Sequence, residues 1–235
     1  MVLPQTRVVF PVPRPGLGFF PKHSLRNHEL SLGVIHMARL IVLASGSEIR
    51  QTLLRNAGVS FEVQLPRVNE DSVKTALLDE GASPRDIADA LAEAKARKVS
   101  SKHPEALVIG CDQVLDFDGA LLSKPETPGE ARAQLAAMRG KRHSLLSAAV
   151  LYHRGEPVWR HVGQVRLIMR EFSDAYLDAY LARNWESVRW CVGGYKLEEE
   201  GVRLFSRIDG DYFNVLGLPL VEILSYLSVT GDLDA

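Results

Sequence analysis

The chain has 235 residues, of which 46% are hydrophobic and 24% are charged, and its formal net charge at pH 7 is -1. This is the composition of an ordinary globular protein, and the near-zero charge excludes a general electrostatic attraction to nucleic acid or to anionic membranes. The two cysteines are too few for a disulfide framework and no apolar run is long enough to span a bilayer, so we expect a cytoplasmic protein.

Residues 1–36 differ in composition from the rest of the chain. Five prolines interrupt every apolar run there, and basic residues outnumber the single acid, Glu29. We expect a disordered N-terminal extension, followed by the folded domain at 37–230. Two alternatives remain: an organelle transit peptide, or sequence upstream of a natural first residue at Met37.

Apolar periodicity and helix caps predict alternating strands and helices in the first half of the domain. In order, the predicted elements are a buried strand at 40–44, a helix at 47–56, an alternating strand at 59–66, a polar loop around 69–71, and a helix that Ser83 caps and Pro84 begins.

The second half predicts longer strands joined by tight turns. In order, it predicts a strand at 106–117, a helix capped by Thr127, strands at 144–153 and 157–170, a helix capped by Ser173, a Gly-Gly turn at 193–194, a strand at 202–208, and a helix from about Pro219. These patterns indicate an α/β fold, a single elongated domain with a mixed, twisted central sheet flanked by helices.

The segment Ser45-Gly46-Ser47 joins the first predicted strand to the first predicted helix. Free N–H groups and the positive end of the helix dipole attract an anion there, and Arg50, one turn later, can form a forked contact with a phosphate. The spacing of a P-loop is absent. Taken alone, this segment favours the simpler alternative that Ser47 caps the helix and Arg50 forms a surface ion pair.

Two acids and two lysines form a second candidate group. Asp112 follows the buried run 107–111, where an unpaired charge is costly, so it needs a cation, a metal or hydrogen bonds. With Glu70, Lys95 and Lys124 it makes a set that can bind Mg²⁺ and offset the charge of a polyphosphate. Singly, each lysine is better explained as a solvated surface residue, and Asp112 is equally well explained as a loop cap or the partner of a lysine.

Several segments together resemble the Maf family of nucleoside triphosphate pyrophosphatases, once described as septum-formation inhibitors. They are "LASGSEIRQTLL" at 43–54, "NE" at 69–70, "LAEAKA" at 91–96, "VIGCDQVL" at 108–115, "SKPETPGEARAQL" at 123–135 and "GDYFNVLGLPLVEIL" at 210–224. The resemblance implies a Maf or ITPase-like fold. It also implies a hydrolase that uses Mg²⁺ or Mn²⁺ to split a nucleotide between its α- and β-phosphates.

The resemblance also assigns roles to individual residues. It implies phosphate binding by Ser45 and Arg50, a role for Asp112 as proton acceptor, and functional residues at Glu70, Lys95 and Lys124. From the residue types we add Ser47 to the phosphate-binding group, a metal held by Glu70 and Asp112, and catalytic roles for Lys95 and Lys124. Base recognition falls to Ile49, Gln113 and Glu198. Gln113 and Glu198 resemble the branch that acts on 7-methyl-GTP, whereas Ile49 stands where that branch commonly has an aromatic residue.

The resemblance implies a small-molecule nucleotide as the partner and a homodimer by analogy, with no nucleic-acid or membrane partner. One function would be the removal of non-standard or modified nucleotides. The alternative from another class is a non-catalytic, nucleotide-sensing regulator of cell division. The complete set of acids and cations favours the enzyme, because an adaptor does not require it.

Overall fold

The computed structural model describes residues 38–234, and the predicted extension at 1–36 lies outside these described residues. The strands are β1 (Ile41–Ala44), β2 (Glu62–Val63), β3 (Leu107–Phe117), β4 (Ala120–Leu122), β5 (Arg142–His153), β6 (Glu156–Met169) and β7 (Phe205–Asp209). The helices are α1 (Glu48–Asn56), α2 (Glu70–Asp79), α3 (Pro84–Ser100), α4 (Pro128–Met138), α5 (Asp174–Val188), α6 (Tyr212–Val215) and α7 (Leu220–Val229).

The strands form one mixed sheet in the order β2-β1-β3-β5-β6-β7, with β4 paired to β3. β1 is parallel to β2 and β3, and the other pairs are antiparallel. The prediction of an α/β fold with a mixed central sheet is therefore confirmed. Residues 41–44 of β1 pair with 107–110 of β3, so β3 continues well past the carboxyl end of β1. This end of β1 is where side chains from both faces of the sheet can meet.

The helices cover the two faces of the sheet. α3 packs on one face in a cluster with Val42, Val108 and Ala148, and α1 and α7 pack on the other with Leu43 and Ile109. α4 and α5 cover the far part of the sheet in a third cluster. Because successive residues of a strand point to opposite faces, neighbours on β3 belong to different clusters.

Gly110 brings α3 unusually close to β3. A Cβ atom at this position would lie 2.3 Å from the carbonyl oxygen of Ala92 and 2.5 Å from the nitrogen of Ala96. Only a residue without a side chain allows this approach. The approach places the α3 residue Lys95 over the same face of β3 that carries Asp112.

The predicted helix caps are confirmed. The side chains of Ser47, Ser83, Thr127 and Ser173 each accept a hydrogen bond from the backbone N–H three residues later. Gly193 and Gly194 both have positive φ, as the predicted turn requires. None of the helices within 38–234 is long and apolar enough to cross a membrane.

Several predicted elements were wrong. The polar loop around 69–71 is the start of α2, where Asn69 caps the helix by accepting from Ser72 N at 3.1 Å, and Glu70 lies in the first turn. The strand at 59–66 shrinks to β2, since as an edge strand it has only the short β1 to pair with. The strand at 202–208 begins at Phe205 because a 3-10 turn, Glu200–Leu204, precedes it.

Candidate functional site

The predicted phosphate-binding and acid–lysine groups meet beyond the carboxyl end of β1. Ser45 follows β1, Arg50 comes from α1 on one face, and Lys95 comes from α3 on the other. Asp112 lies within β3, two residues past the last pairing with β1. Parallel α/β sheets bind ligands at this kind of position, where connections leave a strand toward opposite faces.

Lys95 joins the two predicted carboxylates. Its Nζ lies 2.6 Å from Asp112 Oδ1 and 2.9 Å from Glu70 Oε2. The side chains of Lys95 and Asp112 are 8% and 10% exposed, whereas that of Glu70 is 48% exposed. Burial raises the pKa of Asp112, and the neighbouring cations Lys95 and Arg50 oppose this shift. Burial is the largest of these effects, so the pKa of Asp112 stays raised despite the two cations.

Arg50 is held by protein oxygens on two sides of its guanidinium group. Its Nε donates to Gly217 O at 2.7 Å, and its Nη1 donates to Cys111 O at 3.1 Å and to Ser45 Oγ at 3.3 Å. Among the described residues Nη2 has no hydrogen-bond partner and Arg50 forms no ion pair. The alternative of a surface ion pair is therefore wrong, and Arg50 is a fixed cation with one spare donor.

The Ser45-Gly46-Ser47 segment has both of the roles considered for it. Ser47 caps α1 by accepting from Arg50 N at 3.5 Å, so the simpler alternative holds for this residue. Buried Ser45 accepts from Ser47 N at 3.2 Å and from Arg50, so its hydroxyl lies at the helix N-terminus beside the guanidinium. Positive charge and N–H donors thus converge there, as an anion requires.

Lys124, Glu198 and Ile49 stand apart from this cluster. Lys124 and Glu198 are exposed, and within 38–234 neither forms a hydrogen bond or ion pair with the cluster. β4 ends at Leu122 opposite Leu115, so the antiparallel direction carries Lys124 toward the Gln113 end of β3. Ile49 is partly buried and packs against the core shared by α1 and α7. Their roles in catalysis and base recognition remain predictions.

Gln113 is bound mainly to the protein itself. Its Nε2 donates to Ser147 Oγ at 2.9 Å, Asn214 O at 2.9 Å and Val215 O at 3.0 Å. The amide donors are therefore occupied, and only the side-chain carbonyl is left for a nucleotide base. Recognition of the base by Gln113 also remains a prediction.

Sequence reasoning did not identify the segment 211–217 as part of the site. Asp211 caps α6 by accepting from the N–H groups of Phe213 and Asn214, and Gly217 has φ +88° where its carbonyl meets Arg50. The signal was present in "GDYFNVLGLPL", since an aspartate followed six residues later by glycine is typical of a short capped helix. In the sequence analysis this segment supported only the resemblance to the Maf family and was not assigned to the site.

The donor set fits a hard divalent cation. Glu70 and Asp112 both contact one cationic atom, Lys95 Nζ, and they are the carboxylates of this cluster that could accept a metal ion. No cluster of three or more His, Cys, Asp or Glu in residues 38–234 could hold a metal. Mg²⁺ suits such a sparse site, because it is commonly bound by one or two carboxylates and takes its other ligands from water and phosphate oxygens.

A family model for Maf-like proteins matches residues 40–230. The chain is 67% identical over 198 residues to a nucleoside triphosphate pyrophosphatase of Ruegeria sp. (strain TM1040), an alignment that covers 84% of this chain and 100% of that protein. A protein of the same name from Caulobacter vibrioides is 53% identical over 82% of this chain and 96% of its own length. A 7-methyl-GTP pyrophosphatase of Rhizobium meliloti is 44% identical over 85% of this chain and 100% of its own length.

Proposed function

The chain belongs to the family of Maf-like proteins, and from this premise we propose that it hydrolyses nucleoside triphosphates to a nucleoside monophosphate and pyrophosphate. The observation that carries the proposal is the convergence of Asp112, Lys95 and Glu70 with the Ser45–Arg50 cradle at one end of β1. Relatives named as enzymes also argue against a non-catalytic regulator.

The triphosphate binds to the positive side of the cleft. Arg50 Nη2 donates to a phosphate oxygen, because its other guanidinium donors are already bound to protein oxygens. The N-terminus of α1 and the Ser45 hydroxyl add donors and a favourable dipole. Lys95 and Lys124 offset the negative charge that develops on the phosphoryl oxygens and on the departing pyrophosphate.

Asp112 accepts the proton of the attacking water. Burial raises its pKa, which makes it a stronger base than an ordinary carboxylate, while Lys95 at 2.6 Å favours its ionised form and orients it. The water oxygen forms the new bond to the α-phosphorus, its proton passes to Asp112, and the bond to the bridging oxygen breaks. Pyrophosphate leaves with that bonding pair, and the products are a monophosphate and pyrophosphate.

Glu70 and Asp112 would hold Mg²⁺ or Mn²⁺, with phosphate oxygens completing the coordination. Glu70 is half exposed, so it would be the first of the two carboxylates to contact an ion that arrives with the nucleotide. When bound, such an ion supplies Lewis-acid polarisation of phosphoryl oxygens and charge neutralisation. Binding requires Lys95 to give up part of its contact with the two carboxylates, so we expect metal and triphosphate to bind together.

The base is recognised at the rim by Ile49, Gln113 and Glu198. The relative named 7-methyl-GTP pyrophosphatase supports a purine of this type, and a carboxylate at 198 suits the donor edge of guanine. Ile49 offers no aromatic surface on which a cationic base could stack. We therefore keep 7-methyl-GTP as one substrate among several and assign the enzyme to the removal of modified nucleotides.

The test is pyrophosphate release from 7-methyl-GTP, UTP, dTTP, GTP and CTP with Mg²⁺ or Mn²⁺, each with and without a chelator. We expect release that requires the metal and gives one pyrophosphate per monophosphate. Absence of release from every nucleotide would contradict the proposed activity. A clear preference for UTP and dTTP would contradict the roles assigned to Gln113 and Glu198 while leaving the chemistry intact.

Two further expectations belong to this proposal. The free thiols of Cys111 and Cys191 suit the reducing cytoplasm. The homodimer rests on family analogy, and light scattering at several protein concentrations would test it.

A further inference from the structure

We propose that Gln113 and Ser147 are positioning residues that fix Arg50 for the triphosphate, acting through the backbone of the segment 211–217. The inference rests on the proposed function, because it gives a purpose to an arrangement behind the phosphate cradle. It gives the Nε2 donors of Gln113 a role in addition to the contact that the side-chain carbonyl can make with the base. It also brings into the site Ser147, which touches none of the residues expected to meet the substrate other than Gln113.

A continuous chain of hydrogen bonds connects these residues to Arg50. Ser147 Oγ donates to Asn214 O at 2.6 Å, and Gln113 Nε2 donates to the same oxygen at 2.9 Å. Asn214 O also accepts from Gly217 N at 3.1 Å. Gly217 O in turn accepts from Arg50 Nε at 2.7 Å. Gly217 O, which holds the Nε side of the guanidinium, is thus one peptide group away from Gly217 N, which donates to the same Asn214 O that Gln113 and Ser147 hold.

The sheet holds this segment from below. Ser147 of β5 is fully buried and pairs with Gly163 of β6. The Asn214 side chain lies over Gly163, where a Cβ atom would be 2.1 Å from Asn214 Oδ1. Asp211 closes the other side by accepting from Asn214 N at 2.9 Å and from Asn214 Nδ2 at 2.8 Å. Asn214 is therefore fixed by three strands and a helix cap.

The same arrangement holds Arg50 from two directions. Gln113 directly follows Asp112 on β3, and Cys111, on the other side of Asp112, accepts from Arg50 Nη1 at 3.1 Å. Gly217 has φ +88°, a conformation that favours glycine, and a Cβ atom built on it would lie 3.1 Å from Arg50 Nη2. A residue with a side chain would therefore crowd the guanidinium that the Gly217 carbonyl holds. The Arg50 guanidinium is thereby held in a fixed position relative to β3, the strand that carries the general base Asp112. A small displacement of a bound substrate away from the reacting geometry is enough to slow catalysis strongly.

The experiment compares Gln113→Met and Ser147→Ala in two backgrounds, the wild type and Arg50→Ala. Each substitution removes donors to Asn214 O while keeping similar or smaller volume. We expect each to lower kcat/KM by about tenfold for every nucleotide in the wild-type background. In the Arg50→Ala background each should lower it by less than about twofold, because its effect passes through the missing guanidinium.

Three outcomes overturn the proposal. Equal losses in both backgrounds mean that Gln113 and Ser147 only stabilise the fold. No loss in the wild-type background means that the segment holds Arg50 without them. A loss from Gln113→Met confined to some bases means that Gln113 acts only on the base and not through Arg50. Thr230→Val is the matched control, because it removes a hydroxyl that donates to Tyr226 O at 3.0 Å and to Asp232. Asp232 pairs with Arg39, which precedes β1 and is not among the predicted site residues. We expect this control to leave activity unchanged.

A failure of the proposed function is distinguishable. If the wild type releases no pyrophosphate from any nucleotide, the same variants are compared by their affinity for inorganic tripolyphosphate. Weaker binding that depends on Arg50 supports the positioning role even then, and unchanged binding overturns it. If Ser147→Ala does not fold, Gln113→Met, whose side chain lies nearer the surface, gives the same comparison.

Discussion

Asp112 is a carboxylate whose ionisation depends on its two nearest cations. Its side chain is 10% exposed, its pKa is raised by burial, and its closest charged neighbour is Lys95 Nζ at 2.6 Å. A base with a raised pKa accepts a proton readily, and a nearby lysine favours its charged form. Activity is therefore expected to fall in acid at a pH above the ordinary titration range of an aspartate.

Asp112→Asn is expected to lower kcat by about 10³-fold, because the amide keeps the shape of the side chain but cannot accept the proton of water. Pyrophosphate release measures the loss, and circular dichroism with a thermal melt checks the fold. Asp116→Asn is the matched control on the same face of β3, where Asp116 only accepts from Gly119 N. Turnover near the wild-type rate in Asp112→Asn would refute Asp112 as the base.

Lys95→Met is expected to lower the free energy of unfolding by about 3 kcal/mol, because removing one partner leaves a buried carboxylate without its cation. Urea denaturation measures the change, and Lys98→Met, an exposed lysine of the same helix, is the control. Adding Asp112→Asn to Lys95→Met should restore part of the stability. If the second change gave no recovery, the Lys95–Asp112 pair would not be the source of the loss.

At the residue scale, charge arguments gave a sound basis for the acid–lysine group but not for Gln113. A carboxylate after a buried apolar run needs a cation, and Lys95, placed at the border of an apolar helix stripe, was a reasonable candidate for that cation. The donors of Gln113 go instead to the backbone of residues 214 and 215, which are far away in sequence. A contact across 101 residues with a carbonyl oxygen has no signature in residue types.

Gly110 is the point at which element packing controls the site. Gly110→Ala is expected to destabilise the protein by about 2 kcal/mol, because the new Cβ meets the α3 backbone and α3 must move away from β3. The same movement withdraws Lys95 from Asp112, so activity should fall further than stability alone explains. A thermal melt and the pyrophosphate assay are measured on the same samples.

Gly129→Ala gives the matched control for this change. A Cβ at Gly129 on the first turn of α4 has its nearest neighbour, Thr127 Oγ1, at 3.9 Å, so alanine should be neutral or slightly stabilising. If Gly110→Ala behaved like Gly129→Ala, the close approach of α3 to β3 would not be required for the site.

Elements with caps and long apolar periods could be predicted, while those defined by tertiary pairing could not. Ser83 and Thr127 predict the starts of α3 and α4 because capping is a local interaction. α2 was missed because its first turn is acidic and none of its residues is buried, so it shows no apolar stripe. β2 was overestimated because its length depends on β1, which offers only four residues for pairing.

At the scale of the whole molecule, the site depends on both faces of one sheet. α1 supplies Arg50 from one face and α3 supplies Lys95 from the other, and they meet because β1 ends while β3 continues. Alternation of strands and helices was enough to predict a mixed sheet, but not the strand order β2-β1-β3-β5-β6-β7. That order decides which strand ends early and therefore where the cleft opens.

The stability of the whole molecule should depend on one buried imidazole far from this cleft. His143 of β5 is 2% exposed, its Nε2 lies 2.7 Å from Tyr195 Oη, and its Nδ1 is buried without a partner among the described residues. Burial lowers the pKa of His143 from 6.5 to about 4. The unfolded chain therefore binds this proton more readily than the folded protein does. The contribution of neutral His143 to the free energy of unfolding is fully present above about pH 6.5, and it is lost as the pH falls toward about 4.

The expected loss across that window is about 3 kcal/mol of unfolding free energy, and His143→Gln should remove most of this dependence because an amide can still bond to Tyr195 but does not titrate. Urea denaturation of both proteins between about pH 4 and 7.5 gives the difference curve that isolates His143. The raised pKa of Asp112 acts in the opposite sense, since its ionisation costs stability as pH rises, but it is common to both proteins and cancels in the difference. Parallel curves for the wild type and His143→Gln would show that folding does not shift the pKa of His143, and would contradict its neutral burial.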